Sequence, residues 1–134
     1  MKLMLILAAG AALGLAAPAT AAPGKAIVSL YHVAPGQQPG FLHWLDQQDQ
    51  LAASAGVAKG QLYTHTDGDS WDYMVIYPVT TEAQDKAVEA AGKRAGINTM
   101  RGGMELRKYI ASHTDTFTMG PMTAAEYLAA VGEK

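Results

Sequence analysis

Two alternating runs, residues 59–66 and 70–79, flank the tripeptide Asp67-Gly68-Asp69. The first holds Leu62, Tyr63 and His65; the second holds Trp71, Tyr73, Val75, Ile76 and Tyr77. Aromatic and β-branched residues at a period of two read as strands, and a short linker with an Asp-Gly pair reads as a tight hairpin turn. A hairpin in mid-chain constrains everything around it. Before it comes a strand-like run at 26–33, closed by Pro35-Gly36, and then a helical stretch from Pro39-Gly40 to Gly56. In that stretch Phe41, Trp44, Leu45, Gln48, Leu51, Ala52 and Ala55 recur at helical spacing, with His43, Asp46, Gln47, Asp49 and Gln50 on the wet side. After the hairpin, Thr81 and Gln84 have capping-box spacing and open an Ala-rich helix that runs to Gly92 or Gly96. Residues 98–103 read as a loop, 104–111 as a short helix and 112–119 as a fourth strand around Thr114, Thr116 and Thr118. Thr123 with Glu126 repeats the capping box before a short helix through Ala130.

The order β-α-β-β-α-(α)-β-α is that of a ferredoxin-like α+β fold, a four-stranded antiparallel sheet with both main helices on one face. Parity divides the strand residues into two sets. Val28, Leu30, Leu62, Met74 and Ile76 form an aliphatic set, assigned to the underside of the helices. Tyr31, Tyr63, His65, Trp71, Tyr73, Tyr77, His113 and Phe117 form a ring-rich set, assigned to the other face. Burying a large ring is worth about 1.5–3 kcal/mol. A face so rich in rings does not stay in water, so a second copy of the chain is expected to cover it.

The chain has 134 residues, and the first 21 read as an export signal. Met1-Lys2 is a short positive start, an apolar stretch follows through Leu15, and Ala19-Thr20-Ala21 offers small residues at the cleavage site. Cleavage after Ala21 leaves residues 22–134 as one domain in the periplasm or outside the cell, with no membrane attachment. Without Lys2, nine basic residues stand against twelve acidic ones, a net charge of −3. With no basic run, that balance argues against nucleic acid as a partner. The absence of cysteine removes disulfides, thiolate zinc sites and a cysteine nucleophile.

The element order, the ring-rich face and the run Gly60-Gln61-Leu62-Tyr63-Thr64-His65 with Ser70-Trp71-Asp72-Tyr73-Met74-Val75-Ile76-Tyr77 resemble the dimeric α+β barrel superfamily. That group includes antibiotic-biosynthesis-type monooxygenases, EthD-like and NIPSNAP-like domains. The resemblance spans residues 25–120. It implies a homodimer whose two sheets close a barrel, with a cavity between each sheet and its helices. It further implies small aromatic or polyketide-like ligands, or haem, and in some members cofactor-free oxygenation or isomerisation. No catalytic motif of the group carries over residue by residue.

Acid–base chemistry near neutrality points to histidine. His113 with Asp115, two positions apart on one strand face, and His65 with a tyrosine hydroxyl are the expected catalytic groups. Tyr31, Tyr63, Trp71, Tyr73 and Phe117 are the expected ligand-binding residues, an apolar lining with a few polar handles. There is no HxH or HExxH motif, and neither a metal nor a cofactor is expected. The expected function is an exported small-molecule-binding protein, or a cofactor-independent enzyme of oxygenase or isomerase type, acting on an aromatic or polyketide-like compound. Two alternatives stand beside it: a non-catalytic dimeric interaction module, and haem binding through His65 or His113.

Overall fold

A computed structural model describes residues 24–133; the expected export signal at 1–21 lies outside the described residues. Strand β1 (Gly24–Val33) ends at Pro35-Gly36, where proline removes a donor and Gly36 takes a positive φ of 76°. Helix α1 (Gln38–Ser54) starts with Pro39 in its first turn, where the missing N–H costs nothing. Strands β2 (Gln61–Thr64) and β3 (Tyr73–Pro78) form the hairpin. Both are shorter than their alternation suggests, because Asp67, Gly68, Asp69 and Ser70 favour turns. One further bond, His65 N–H to the Asp72 carbonyl at 2.9 Å, extends the ladder.

The capping box of Thr81 and Gln84 is formed and starts α2 (Glu82–Arg94). The expected loop contains a 3₁₀ turn (Thr99–Arg101) capped by Asn98, which leads into α3 (Gly102–Leu106). Strand β4 (Ile110–Gly120) follows, and the second capping box starts α4 (Ala124–Ala130). The sheet order is β2-β3-β1-β4 and every pairing is antiparallel, which is the ferredoxin-like arrangement.

The two faces are the reverse of the expectation. Tyr31, Val33 and Val75 are buried in one core with Phe41 and Leu45 of α1 and Leu106 of α3. Pairing places Tyr31 beside Tyr73 and His113, Ile27 beside Tyr77 and Phe117, and Ser29 beside Asp115. Tyr31, Tyr73, Tyr77, His113 and Phe117 of the ring-rich set therefore lie on the helix side, while Tyr63 pairs with Met74 on the open side and His65 and Trp71 fall beyond the strand ends. Leu62 pairs with Val75 and crosses to the helix side as well. The open side carries Val28, Leu30, Met74 and Ile76, with Thr114, Thr116 and Thr118 of β4.

The physical reason is Phe41. It is fully buried, and it sits on Tyr31 at 5.0 Å and Tyr73 at 5.4 Å between ring centroids, with Trp44 at 6.2 Å. Tilted and offset rings at such distances attract beyond their buried area by about 0.5–1.5 kcal/mol a pair. Room for the rings comes from Gly60. A Cβ there would stand 2.7 Å from both the Tyr77 ring and Val75 Cγ1. Both neighbours are constrained, since Val75 is buried and Tyr77 packs against the core.

Gly60→Ala should therefore destabilise the fold by about 1–3 kcal/mol through overpacking. Gly103→Ala, whose Cβ would meet nothing within 4 Å, should not destabilise. Urea unfolding of the two variants measures the difference.

Candidate functional site

The helical layer and the sheet part at one end to leave a cavity of about 640 Å³. Ile27 and Tyr77, a cross-strand pair, form its floor. Asp49 and Ala52 of α1 stand on one side, Val88 and Glu89 of α2 on the other, with Val57 and Met100 from the connections. The local sequence explains the space. Helix α2 is Ala-rich, so its inward residues are too small to fill the gap, and only Ala91 and Gly92 are buried. The lining is mostly apolar with a few polar groups, the usual make-up of a small-molecule site.

Its ionisable groups carry one sign. Asp49, Asp85 and Glu89 line it, and no Lys, Arg or His does so among the described residues. Asp49 accepts the Gly60 N–H at 3.0 Å, and Asp85 accepts the Thr80 hydroxyl at 2.6 Å. Glu89 meets Lys93 at 2.8 Å on the surface of α2, and that hydrogen bond holds its carboxyl below the usual range. Burial pushes the Tyr77 phenol far up, reinforced by Tyr31 and by the negative charges of Asp49 and Asp115. Tyr77 is therefore a neutral phenol at the cavity wall, able to donate or accept a hydrogen bond.

A chain of polar side chains leads away from Tyr77 across the helix side of the sheet. The Tyr31 phenol lies close to the hydroxyls of Tyr77 and Ser29, and burial raises its pKa. The buried Ser29 hydroxyl donates to Asp115 Oδ1 at 2.6 Å. Asp115 Oδ2 lies 3.5 Å from His113 Nε2, and the His113 ring stacks on Tyr31 at 5.8 Å. The chain of groups joins the cavity wall to the exposed edge strand β4. Chemically, Asp115 satisfies the Ser29 hydroxyl, which would otherwise be buried without a partner.

The eight residues singled out from the sequence fall in four places, and none lines the cavity. Tyr31 and Tyr73 are in the core around Phe41. Tyr63 faces a second cleft of about 630 Å³ along the open side, with Val28 and Ile76. His65 lies against the edge of Trp71 at 5.0 Å, beyond the end of β2, and its buried Nε2 has no hydrogen-bond partner. The expected hydrogen bond between His65 and a tyrosine is thus absent. His113, Asp115 and Phe117 share the helix side of β4. The two histidines are on opposite edges of the sheet with β3 and β1 between them, about 14 Å apart at the usual strand spacing. The structure brings together His113 and Asp115 but not a pocket of all eight. Among the described residues, no three His, Asp or Glu side chains group closely enough to hold a metal, and no helix is long and apolar enough to cross a membrane.

Sequence reasoning missed Asp49, Ala52, Asp85, Val88 and Glu89. The available signal was the small side chains of α2, which cannot fill the space above a sheet carrying Tyr77.

No family model matches the chain, and no curated protein matches it. Solved structures do. Protein Atu4242 from Agrobacterium tumefaciens is similar over 75% of this chain and 95% of that one, with a TM-score of 0.51 and 9% identity. A dimeric protein of unknown function and ferredoxin-like fold from Bacteroides fragilis is similar over 72% of this chain and 95% of that one, with a TM-score of 0.47 and 11% identity. SnoaB, a cofactor-independent oxygenase from Streptomyces nogalater, is similar over 75% and 95%, with a TM-score of 0.46 and 14% identity. At such identities the likeness is one of fold: an α+β chain of the ferredoxin-like class.

The buried phenols give a pH dependence. Tyr31 and Tyr77 both have pKa values raised on folding. Above the unfolded value of about 10, the unfolded chain loses these protons while the folded chain keeps them. Stability is therefore fully present below that pH and falls as pH rises above it, by at most about 1.4 kcal/mol per pH unit for each tyrosine. Urea titrations between pH 9 and 11 should show this slope, and Tyr77→Phe should flatten it.

Proposed function

We propose that this chain is an exported, homodimeric binding protein for a small, largely apolar molecule, seated in the cavity between the sheet and helices α1 and α2. The cavity is the observation that carries the reading: about 640 Å³, floored by Ile27 and Tyr77, with apolar walls from Ala52, Val57 and Val88. That volume suits an aromatic or polyketide-like compound of a few rings. Asp49, Asp85 and Glu89 favour a neutral or basic ligand over an anionic one. A haem seated in this cavity would lack an axial histidine, since neither His65 nor His113 lines it. An enzymatic reading centres on Tyr77, whose neutral phenol could direct a ligand oxygen or nitrogen.

The neutral fluorophore N-phenyl-1-naphthylamine tests the reading. Its fluorescence should rise on saturable binding, and Ala52→Trp, which fills the cavity, should weaken binding at least tenfold while circular dichroism stays unchanged. The anionic dye 1-anilinonaphthalene-8-sulfonate should bind more weakly. Equal binding to the parent and the filled variant would refute the cavity as the site.

Two parts of the proposal have their own supports. Assembly as a homodimer rests on the open side, where Val28, Leu30, Met74 and Ile76 have no covering element among the described residues. Ile76→Glu should convert a sedimenting dimer to monomer. Export rests on the first 21 residues, and the mass of the protein recovered from outside the cytoplasm should correspond to a chain starting at Ala22.

A further inference from the structure

Among the described residues, half of the exposed large apolar side chains lie near the end of the chain. Phe117 is 76% exposed and Met119 65%, both on the helix side of β4. Tyr127, Leu128 and Val131 are 57%, 48% and 54% exposed, and they share one face of α4 at helical spacing. Every residue from Thr123 to Glu133 is exposed, so α4 is not covered by the other described residues. The chain thus carries an apolar strip on a strand and an apolar stripe on a helix, and the two do not cover each other.

The structure assigns both surfaces to one occupant, a second copy of this chain: we infer that α4 is an arm that lies across Phe117 and Met119 of the dimer mate. This rests on the homodimer proposed above and adds a second contact to it. A two-fold mate covers strip and stripe together, because each copy offers both. At roughly 100 Å² for each partly exposed side chain, the five residues amount to about 500 Å² per chain. The pair would then bury on the order of 1,000 Å², a large share of what a stable interface requires. The position is continuous with the open side. Strand β4 is an edge strand, and Thr118, Gly120 and Pro121 line the open-side cleft, so a mate seated there touches the root of α4. The charges also suit. Lys25 pairs with Met119 at the end of the strip, and Glu133 follows the arm.

The chain has no cysteine, so engineered thiols report this contact without background. Phe117→Cys and Leu128→Cys variants, co-expressed and oxidised, should yield a covalent dimer with a disulfide-linked peptide joining positions 117 and 128. The chain carrying both substitutions should also run as two linked chains. A product of one chain, two hydrogen atoms lighter, would mean that α4 folds back on its own strand and would overturn the inference. So would a dimer by sedimentation with no linked peptide. A protein that sediments as a monomer at the concentration of the oxidation would instead remove the homodimer, and the arm with it. As an independent measure, Leu128→Asp combined with Val131→Asp should weaken dimerisation at least tenfold and leave N-phenyl-1-naphthylamine binding intact. An unchanged dimer affinity would also overturn the inference.

Discussion

The seating of Phe41 between Tyr31 and Tyr73 decides which side of the sheet is inside. Phe41 comes from the first turn of α1, so its burial pins the start of that helix above the crossing of β1 and β3. Once α1 is held there, Leu45 and Leu51 follow on the same face, and Leu51 comes within reach of Gly92 on α2. The helices are thereby fixed most tightly at one end of the sheet. At the other end, where Ile27 meets Tyr77, no residue of comparable size descends from α2, and the layers stand apart. The cavity is a consequence of where the large rings were used.

A core built on tyrosines has a polar obligation that a core of leucines lacks. Each buried hydroxyl left without a partner costs about 1–3 kcal/mol. The same obligation holds for the serine beside them, and Asp115 meets it. Ser29 is buried, and its hydroxyl engages Asp115 across 86 positions of sequence. Burial, with the nearby charges of Asp49 and Asp115, keeps the phenol of Tyr77 protonated at the edge of the cavity. Packing and chemistry are joined at this point, because a hydroxyl held in place by the core is also the hydroxyl that a ligand would meet.

The elements were legible in the sequence because their determinants are local. The Asp67-Gly68-Asp69 turn, the two threonine capping boxes and the periodicity around Phe41, Leu45 and Leu51 each act over a few residues. The split of strand residues into two sets was mostly legible too, since it follows from parity alone. Which set lies under the helices was not. Parity is symmetric, and the deciding interactions, Phe41 with Tyr73 and Ser29 with Asp115, join distant segments. Leu62 and Tyr63 went to the wrong sets because register between β2 and β3 depends on how many residues the turn absorbs. His113 and Asp115 could be paired from a two-residue spacing, whereas the gap between α1 and α2 is a property of two helices at once and has no signature in either.

In the homodimer proposed above, the reversal of the faces has a physical logic. Hydroxyls buried within one chain can be given partners by that chain, as Asp115 serves Ser29. Tyrosines left for an interface would have to wait for a mate to satisfy them, and would be solvated until it arrived. Val28, Leu30, Met74 and Ile76 have no such requirement, since an aliphatic side chain needs only to lose water. A face to be covered by a second copy is therefore better made of aliphatic residues, with the ring-rich and hydroxyl-rich face kept for the interior. The threonines of β4 fit the same division. At the margin of the open side they remain hydrated in the single chain, and Thr118 can turn its hydroxyl back to the Ala26 carbonyl of its neighbour strand at 3.2 Å.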